Sequence, residues 1–499
     1  MKLSTLRGVY QVFFLALFIF LIGVTDFKNL KGFPVKFFHD IDPLISITTF
    51  FSSGVIYKTL ILSLIIIFVT IVFGRIFCSW ICPMGILHHI ASAFPKGKKK
   101  TEIMESNKYR SLYEFKYFVL IAFVVLSLFT SMQIGLLDPI AFTSRAFAIY
   151  VWPMLAAMGA PLYLKGPAFE GAVLIGALFV LVLALNLWIT RFWCRVLCPL
   201  GAMLGLISGY SLFRIKRDTA TCNDCQLCLL HCQGGCDPHD KHKVHECHAC
   251  MNCIDDCPQG SMSYGLAVGK IPSAGFDISK RKLIGSAAAG AAFFSFFRTS
   301  MSSATTVNQK MIRPPGSLPE KDFLKKCIKC AECMRVCPTS VIHPALLEAG
   351  IEGIWSPYLI MRIGYCEYNC NLCGVVCPTG AIRQISVAEK IGEKPYKNPI
   401  VIGTAFFDRG RCLPWAMDVE CIVCEEVCPT SPKAIWFRTE EVTDRKGKAK
   451  LLKRPYLSPE LCIGCGICET KCPVTDKAAI RVTSVGESRS KENVILLKK

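Results

Sequence analysis

Four apolar runs set the pattern of the first half of the chain: Val9–Thr25, Leu60–Phe77, Phe115–Met132 and Gly171–Thr190. At 1.5 Å per helical residue, each is about long enough to cross the roughly 30 Å of hydrocarbon in a bilayer. The first follows Lys2 and Arg7 and lacks the small-residue cleavage site of a secretory leader, so it reads as an uncleaved span. Residues 1–213 are therefore expected to form a polytopic α-helical membrane domain of four helices. The interval between the second and third runs carries Lys96, Lys98, Lys99, Lys100, Lys108 and Arg110, whereas the next interval has only Arg145 and Lys165. Basic loops stay in the cytoplasm, which places the N-terminus there and returns the chain to that side after the fourth run. Lys28, Lys31, Lys36 and Lys58, in the first outer interval, pull weakly the other way.

Beyond Arg214, Lys216 and Arg217 the long apolar runs stop and the pattern turns polar and short. Residues 214–275 are expected to form a cytoplasmic α+β domain and residues 320–485 a larger one, in which AIRQISV and AIRVTSV alternate as strands do. Between them Leu283–Phe297 is apolar behind Lys280, Arg281 and Lys282, so residues 279–299 read as a signal-like or fifth transmembrane segment. Fifteen residues give only about 22 Å of helix. The basic flank and small-residue core nevertheless fit an export signal, and SKRKLIG resembles a twin-arginine signal with Lys280 in place of the first arginine. Crossing there puts residues 320–485 in the periplasm and makes the chain a multi-pass inner-membrane protein. Residues 300–319, which include SSATTVNQKMIRPPGSLP, read as a linker.

Composition agrees with a membrane part. Hydrophobic residues make up 52% of the 499, and mean hydropathy is +0.41, too apolar for a soluble protein of this size. The formal net charge of +20 is accounted for by basic inner loops and ordinary solvated surface. There is no basic helix or aromatic–basic groove, so no nucleic-acid partner is expected. A basic surface can steer an acidic redox partner.

The 29 cysteines carry the chemistry. Four quartets follow one another near the C-terminus: Cys327, Cys330, Cys333 and Cys337; Cys366, Cys370, Cys373 and Cys377; Cys412, Cys421, Cys424 and Cys428; Cys462, Cys465, Cys468 and Cys472. The last cysteine of each precedes proline, at Pro338, Pro378, Pro429 and Pro473. C-x2-C-x2-C-x3-C-P is the bacterial ferredoxin run, in which three thiolates hold one [4Fe–4S] cluster and the fourth turns to a partner cluster. Zinc ribbons use paired C-x2-C units, and disulfides suit small secreted scaffolds, so neither fits an odd cysteine total at these spacings. Two further quartets lie in residues 214–275: Cys222, Cys225, Cys228 and Cys232, then Cys247, Cys250, Cys253 and Cys257 with Pro258. Crossed sharing predicts one cluster on Cys222, Cys225, Cys228 and Cys257 and another on Cys247, Cys250, Cys253 and Cys232. Gln233 replaces the expected proline, and Cys236 stands by as a spare or alternative ligand. His231, His239, His242, His245 and His248 read as solvated loop residues. The count is about six [4Fe–4S] clusters.

Two segments form a repeat, GRIFCSWICPMG and TRFWCRVLCPLG, each ending an apolar run with a C-x3-C-P. Cys78 with Cys82, and Cys194 with Cys198, should share a helical face, with Pro83 and Pro199 breaking the helix. Their role is a metal or redox site, or simple packing. His88 and His89 are adjacent and face different ways, and no C-x-x-C-H occurs, so haem c is not expected. No acid–base constellation stands out and no catalytic residue is assigned. Asp138, in LLDPIAF, reads as a helix cap before it reads as a proton acceptor.

Residues 1–265 resemble the NapH-type membrane subunit of quinol dehydrogenases, in their four runs, two C-x3-C-P segments and two-cluster tail. Residues 280–480, with IRPPGSLPEKDFLKKCIKCAECMRVCP, resemble the NapG-type exported four-cluster ferredoxin and are similar to the MauM-type methylamine-utilisation ferredoxins. The chain thus resembles a fusion of the two. The resemblance implies the electron-transfer component of a quinol dehydrogenase. Quinol would be its substrate, and membrane lipid, the quinone pool and a reductase or cytochrome its partners. Tandem ferredoxins of molybdenum oxidoreductases further imply nested pairing of the last four quartets, first with fourth and second with third, against a sequential alternative. A second reading follows from related membrane polyferredoxins with C-x3-C-P pairs, which resemble reductases serving metal-centre assembly.

Overall fold

The computed structural model describes residues 2–30, 32–55, 61–93, 97, 99–129, 131–159, 169–240, 242–266, 284–292, 309–443 and 449–495. Lys31, Lys58, Lys96, Lys98 and Lys165, used above to orient the chain, lie outside these residues, as do 279–283, 293–299 and 300–308. The chain divides into two compact units. The first holds Met1–Val24, Gly32–Trp152 and Ala172–Phe296; the second holds Thr25–Lys31, Pro153–Gly171 and Phe297–Lys499.

In the first unit the apolar runs become helices of unequal length. Leu3–Val24 has 22 residues, Ser63–Phe73 has 11, Phe115–Leu128 has 14 and Ala172–Ala184 has 13. Among the described residues, three helical stretches are long and apolar enough to cross a membrane: Leu3–Val24, Lys100–Leu128 and Pro139–Met158. The last falls where the pattern predicts a loop. Its Thr143, Ser144 and Arg145 break the apolar run, yet all three are buried against neighbouring elements. Asp138 starts this helix, its Oδ2 accepting the Ile140 and Ala141 N–H groups at 3.0 and 2.8 Å. Asp42 does the same for Pro43–Ser53, so the D-P dipeptide is an N-cap used twice. Residues 284–292 are helical, and the Gly290 backbone approaches Ala122 O so closely that a Cβ there would sit 2.9 Å from it. The described part of the fifth apolar segment therefore packs on helix Phe115–Leu128.

The cysteine-rich parts fold as three modules closed in one way. In each, the segment before the first quartet pairs antiparallel with the segment after the second. Phe213–Arg217 pairs with Met262–Leu266, and Thr404–Phe407 with Ile480–Thr483. The middle module is closed by a bare bridge, Ser317 to Ile382, flanked by Leu318 N–H to Ala381 O at 3.1 Å and Arg383 N–H to Gly316 O at 2.8 Å. AIRVTSV is thus a strand as expected, whereas AIRQISV forms only this bridge before helix Val387–Ile391 begins. Two hairpin-like ladders sit between the quartets of the second unit: Ile342–Pro344 with Pro357–Leu359, and Ile435–Thr443 with Ala449–Leu457.

The linker expectation needs correction for its second half. Met311, Ile312 and Arg313 are buried, and Arg313 donates to Ser356 Oγ at 2.8 Å, Pro357 O at 2.7 Å and Glu320 Oε1 at 2.5 Å. The I-R-P-P-G stretch is polar in composition but structural, because the guanidinium satisfies buried acceptors that water cannot reach. Glu320 also pairs with Arg489 at 2.7 Å. Burial pushes its carboxyl up, but the two guanidiniums outweigh burial and hold it at about 2. A carboxyl depressed by folding stabilises the fold above its unfolded value, and the gain is lost as pH falls towards the folded one. The thermal midpoint of the purified holoprotein should therefore exceed that of Glu320→Gln at pH 6. That gap should close as pH drops through 4.5 towards 2, and a constant gap would remove the ion pair from the account. With the Glu320 side chain 37% exposed, the effect is screened and modest.

Candidate metal centres

Backbone conformation prepares four of the six quartets. In C-x-x-C-x-x-C, the residues before and after the second cysteine take positive φ: Asp224 and Gln226, Ala249 and Met251, Lys329 and Ala331, Gly464 and Gly466. Six of these eight are not glycine, a conformation that costs about 1 kcal/mol or more each and persists only where the surroundings enforce it. Alternating left- and right-handed residues turn successive N–H groups inward, a concavity suited to an anionic centre. The first sulfur of three of these loops accepts the N–H two residues on: Cys247 from Ala249, Cys327 from Lys329 and Cys462 from Gly464. At the two irregular quartets the pattern lapses, with Asn371 at φ −131° and Ile422 at −120°.

The cysteines gather around shared hollows, whose empty space includes some open to solvent. Cys222, Cys225, Cys228 and Cys257 line one of about 320 Å³. Cys232, Cys236, Cys247, Cys250 and Cys253 line another of about 310 Å³. Cys232 and Cys236 stand 3.7 Å apart, so this site offers five thiols. In the second unit Cys428 joins Cys462, Cys465 and Cys468 around about 350 Å³. The thiols crowding Cys333 include Cys330, Cys327 and Cys377; those crowding Cys373 are Cys366, Cys370 and Cys337; those crowding Cys424 are Cys412, Cys421 and Cys472. Sharing is therefore sequential, first quartet with second and third with fourth. The nested expectation fails because each module closes on its own flanking strands, leaving no cysteine free to reach across.

Burial, and then mutual crowding, pushes the Cys424 thiol up to about 12 and the Cys333 thiol well above its ordinary value. Iron would neutralise the thiolates it binds at such sites. The gathered thiols thus fit [4Fe–4S] clusters.

The C-x3-C-P pairs meet in the first unit. Cys78, Cys82, Cys194 and Cys198 are 4–6% exposed. The prolines break the helices as expected and open the next ones: Phe77–Trp80 ends before Pro83, which starts Pro83–Ala93, and Trp193–Leu197 ends before Pro199, which starts Pro199–Ser208. Cys82 and Cys198 donate five residues back, to Phe77 O and Trp193 O, both at 2.9 Å. Arg75 Nε lies 3.3 Å from Cys78 Sγ, and Arg191 Nη1 donates to Cys78 O at 3.3 Å. Gly201 makes room for this, since a Cβ there would lie 2.3 Å from Arg75 Nη2. Both arginines stand three residues before a first cysteine, G-R-I-F-C and T-R-F-W-C, a repeat signal that sequence reading did not use.

Other basic groups tie this region to the two-cluster module. Arg7 Nη1 donates to Cys250 O at 2.6 Å, and Arg195 to Cys232 O at 2.6 Å and Gln233 O at 2.9 Å. Lys116 pairs with Glu246. The histidines need correction. His248 is 1% exposed, 3.5 Å from Arg191, and His242 groups with Cys236 and Cys247, all three within 4.8 Å of one another. Only His231 of the five shows an exposed ion pair, with Asp256 at 3.0 Å. His88 is buried against Asn186 at 2.9 Å, and His89 meets Gln11 at 3.0 Å.

Comparison with known proteins adds three findings. A family model described as a 4Fe-4S binding domain matches residues 55–102 and 169–219, which carry the two C-x3-C-P segments, and a second of the same description matches residues 455–474. The methylamine utilization ferredoxin-type protein MauM of Methylorubrum extorquens is 35% identical over 183 residues, 36% of this chain and 76% of its own. The ferredoxin-type protein NapG of Escherichia coli is 32% identical over 173 residues, 34% of this chain and 69% of its own. An uncharacterized protein of Methanocaldococcus jannaschii is 26% identical over 267 residues, 53% of this chain and 87% of its own. No solved structure matches. At this identity and coverage the chain belongs to the family of 4Fe-4S ferredoxin-type proteins that includes MauM and NapG, and its function is iron–sulfur electron transfer.

Proposed function

We propose that the chain takes electrons from quinol in the inner membrane and relays them to a reductase or cytochrome partner, as a fusion of a NapH-type membrane part with a NapG-type ferredoxin. Clusters held by these thiolates supply one-electron steps. The observation that carries the reading is an open cleft of about 1260 Å³ in the first unit, lined by Ser4, His89, Arg191, His231, Asn252 and Asp256 among others. It lies where span-length helix Leu3–Val24 begins, beside the loop that carries Cys232 and the helical turn Asn252–Asp255 that carries Cys253. Ser4 N–H donates to Asp255 at 2.9 Å there. His231 Nδ1 donates to Asp256 at 3.0 Å, which raises the imidazole above its ordinary value and offers the pair as a proton acceptor.

The exported placement of residues 320–485 draws on the second unit's composition. Both predicted outer intervals contribute to it: Glu170 N–H donates to His343 Nδ1 at 3.1 Å, and Tyr358 O–H to Glu170 at 3.0 Å. The metal-assembly reading asks the C-x3-C-P thiols to meet an outside metal, which 4–6% exposure disfavours. The test is a reduced quinol analogue added to anaerobic membranes. Cluster bleaching on a catalytic timescale is expected, slowed in His231→Ala, while absence of bleaching in active preparations sinks the quinol step. Protease protection of sites beyond Pro319 in spheroplasts would sink the exported placement.

A further inference from the structure

The second quartet of the C-terminal unit departs from its family pattern by one residue. Cys366 and Cys370 are separated by Glu367, Tyr368 and Asn369, where the consensus has two residues. The loop lacks the pair of positive-φ residues that turn amides inward elsewhere, and Asn371, after the second cysteine, stands at φ −131° and ψ 12°. Cys370 still accepts the Leu372 N–H, whereas at Cys366 the donor is a side chain.

That side chain is Lys390. It lies on helix Val387–Ile391, is 3% exposed, and its Nζ stands 3.3 Å from Cys366 Sγ. The same ammonium donates to Glu367 O at 2.5 Å and Cys370 O at 2.7 Å, the start and end of the enlarged loop. The extra residue thus opens a socket for an ammonium, which contacts a ligand sulfur and two carbonyls. Helix Val387–Ile391 is positioned independently, its first turn capped by Ser386 Oγ accepting the Glu389 N–H at 3.0 Å.

We infer that Lys390 is a positioning and tuning residue, adding a full positive charge where the positive-φ pair of the regular loops is lacking and raising the reduction potential at Cys366, Cys370, Cys373 and Cys337. The physical ground is that accepting an electron adds negative charge to a buried, thiolate-ligated centre. A buried cation touching a ligand sulfur favours the reduced form, and the low local dielectric keeps the interaction strong. Place in the wire gives the tuning a purpose. Cys366 N–H donates to Cys465 O at 2.8 Å, and Thr470 Oγ1 donates to Met361 O at 2.6 Å and Gly364 O at 2.8 Å, so this quartet borders the next module. Within the unit the sites follow the order Cys327–Cys333 with Cys377, Cys366–Cys373 with Cys337, Cys462–Cys468 with Cys428, and Cys412–Cys424 with Cys472. Lys390 sits on the inner site from which an electron leaves one module for the other.

The inference rests on the reading that these thiolates hold clusters, and its test separates the two. The full-length, detergent-solubilised holoprotein is titrated with dithionite and ferricyanide and followed by electron paramagnetic resonance. Variants are Lys390→Gln, which keeps a donor without charge, Lys390→Arg, which keeps the charge, and Lys390→Met. One centre should become harder to reduce in Lys390→Gln and Lys390→Met, by at least about tenfold in its equilibrium, or about 59 mV for one electron. Lys390→Arg should restore most of the shift, and the other centres should not move. Unchanged potentials at full iron content overturn the inference, as does loss of that centre from both neutral variants, which would leave Lys390 only a loop-holding role. Iron well short of six clusters in the unsubstituted chain would instead sink the cluster reading itself.

Discussion

Replacing Cys377 with serine is expected to remove about four irons per chain, one cluster's worth, and Cys333→Ser to remove the same number. The double variant should lose no more than either single one, because Cys333 and Cys377 crowd one site. Cys377→Ser combined with Cys424→Ser should lose about eight, since Cys424 is crowded by Cys412, Cys421 and Cys472 instead. Under nested sharing the two doubles would exchange results, so iron and acid-labile sulfide analysis decides between the topologies. Electron flow through the C-terminal unit should fall by orders of magnitude in each single variant, as a chain of one-electron sites tolerates no missing member.

The second large effect lies in the buried ion pair of the first unit. Glu246, next to the ligand Cys247, pairs with Lys116 and accepts the Tyr117 O–H at 2.9 Å, with side-chain exposures of 5% for Glu246 and 0% for Lys116. Glu246→Ala leaves an ammonium buried without a partner, which costs about 3–5 kcal/mol. Lys116→Met with Glu246→Leu removes both charges and should be nearly neutral. Thermal unfolding in detergent, read from cluster absorbance, checks both. A Glu246→Ala midpoint equal to that of the unsubstituted chain would show that the pair carries no such weight.

Much of the site was legible because covalent spacing limits where thiols can go. C-x2-C-x2-C forces three sulfurs onto one concavity, and a trailing proline turns the fourth away, so the ligand sets could be written from residue numbers. The partner of each fourth cysteine was less legible in the C-terminal unit. Spacing permits nested and sequential sharing alike, and the strands or bridges that close each module decide between them. Ser317 and Ile382 form too short a ladder to announce themselves by alternation. The groups supporting the ligands were not legible at all. Arg75, Arg191 and Lys116 look like ordinary basic residues in sequence, and only packing shows that they are buried against sulfur, carbonyl and carboxylate.

The helices divide along the same line. Leu3–Val24 is almost wholly apolar beyond Gln11 and declared itself, while Pro139–Met158 was hidden by Thr143, Ser144 and Arg145, which a loop would hold equally well. Sequence alone determined the cysteine quartets and the apolar run Val9–Thr25, because spacing and hydrophobic period are local properties. The tertiary structure decided which quartets share a site and that Lys390 reaches Cys366 from 24 residues away. Those are distances between residues far apart along the chain, and no local pattern encodes them.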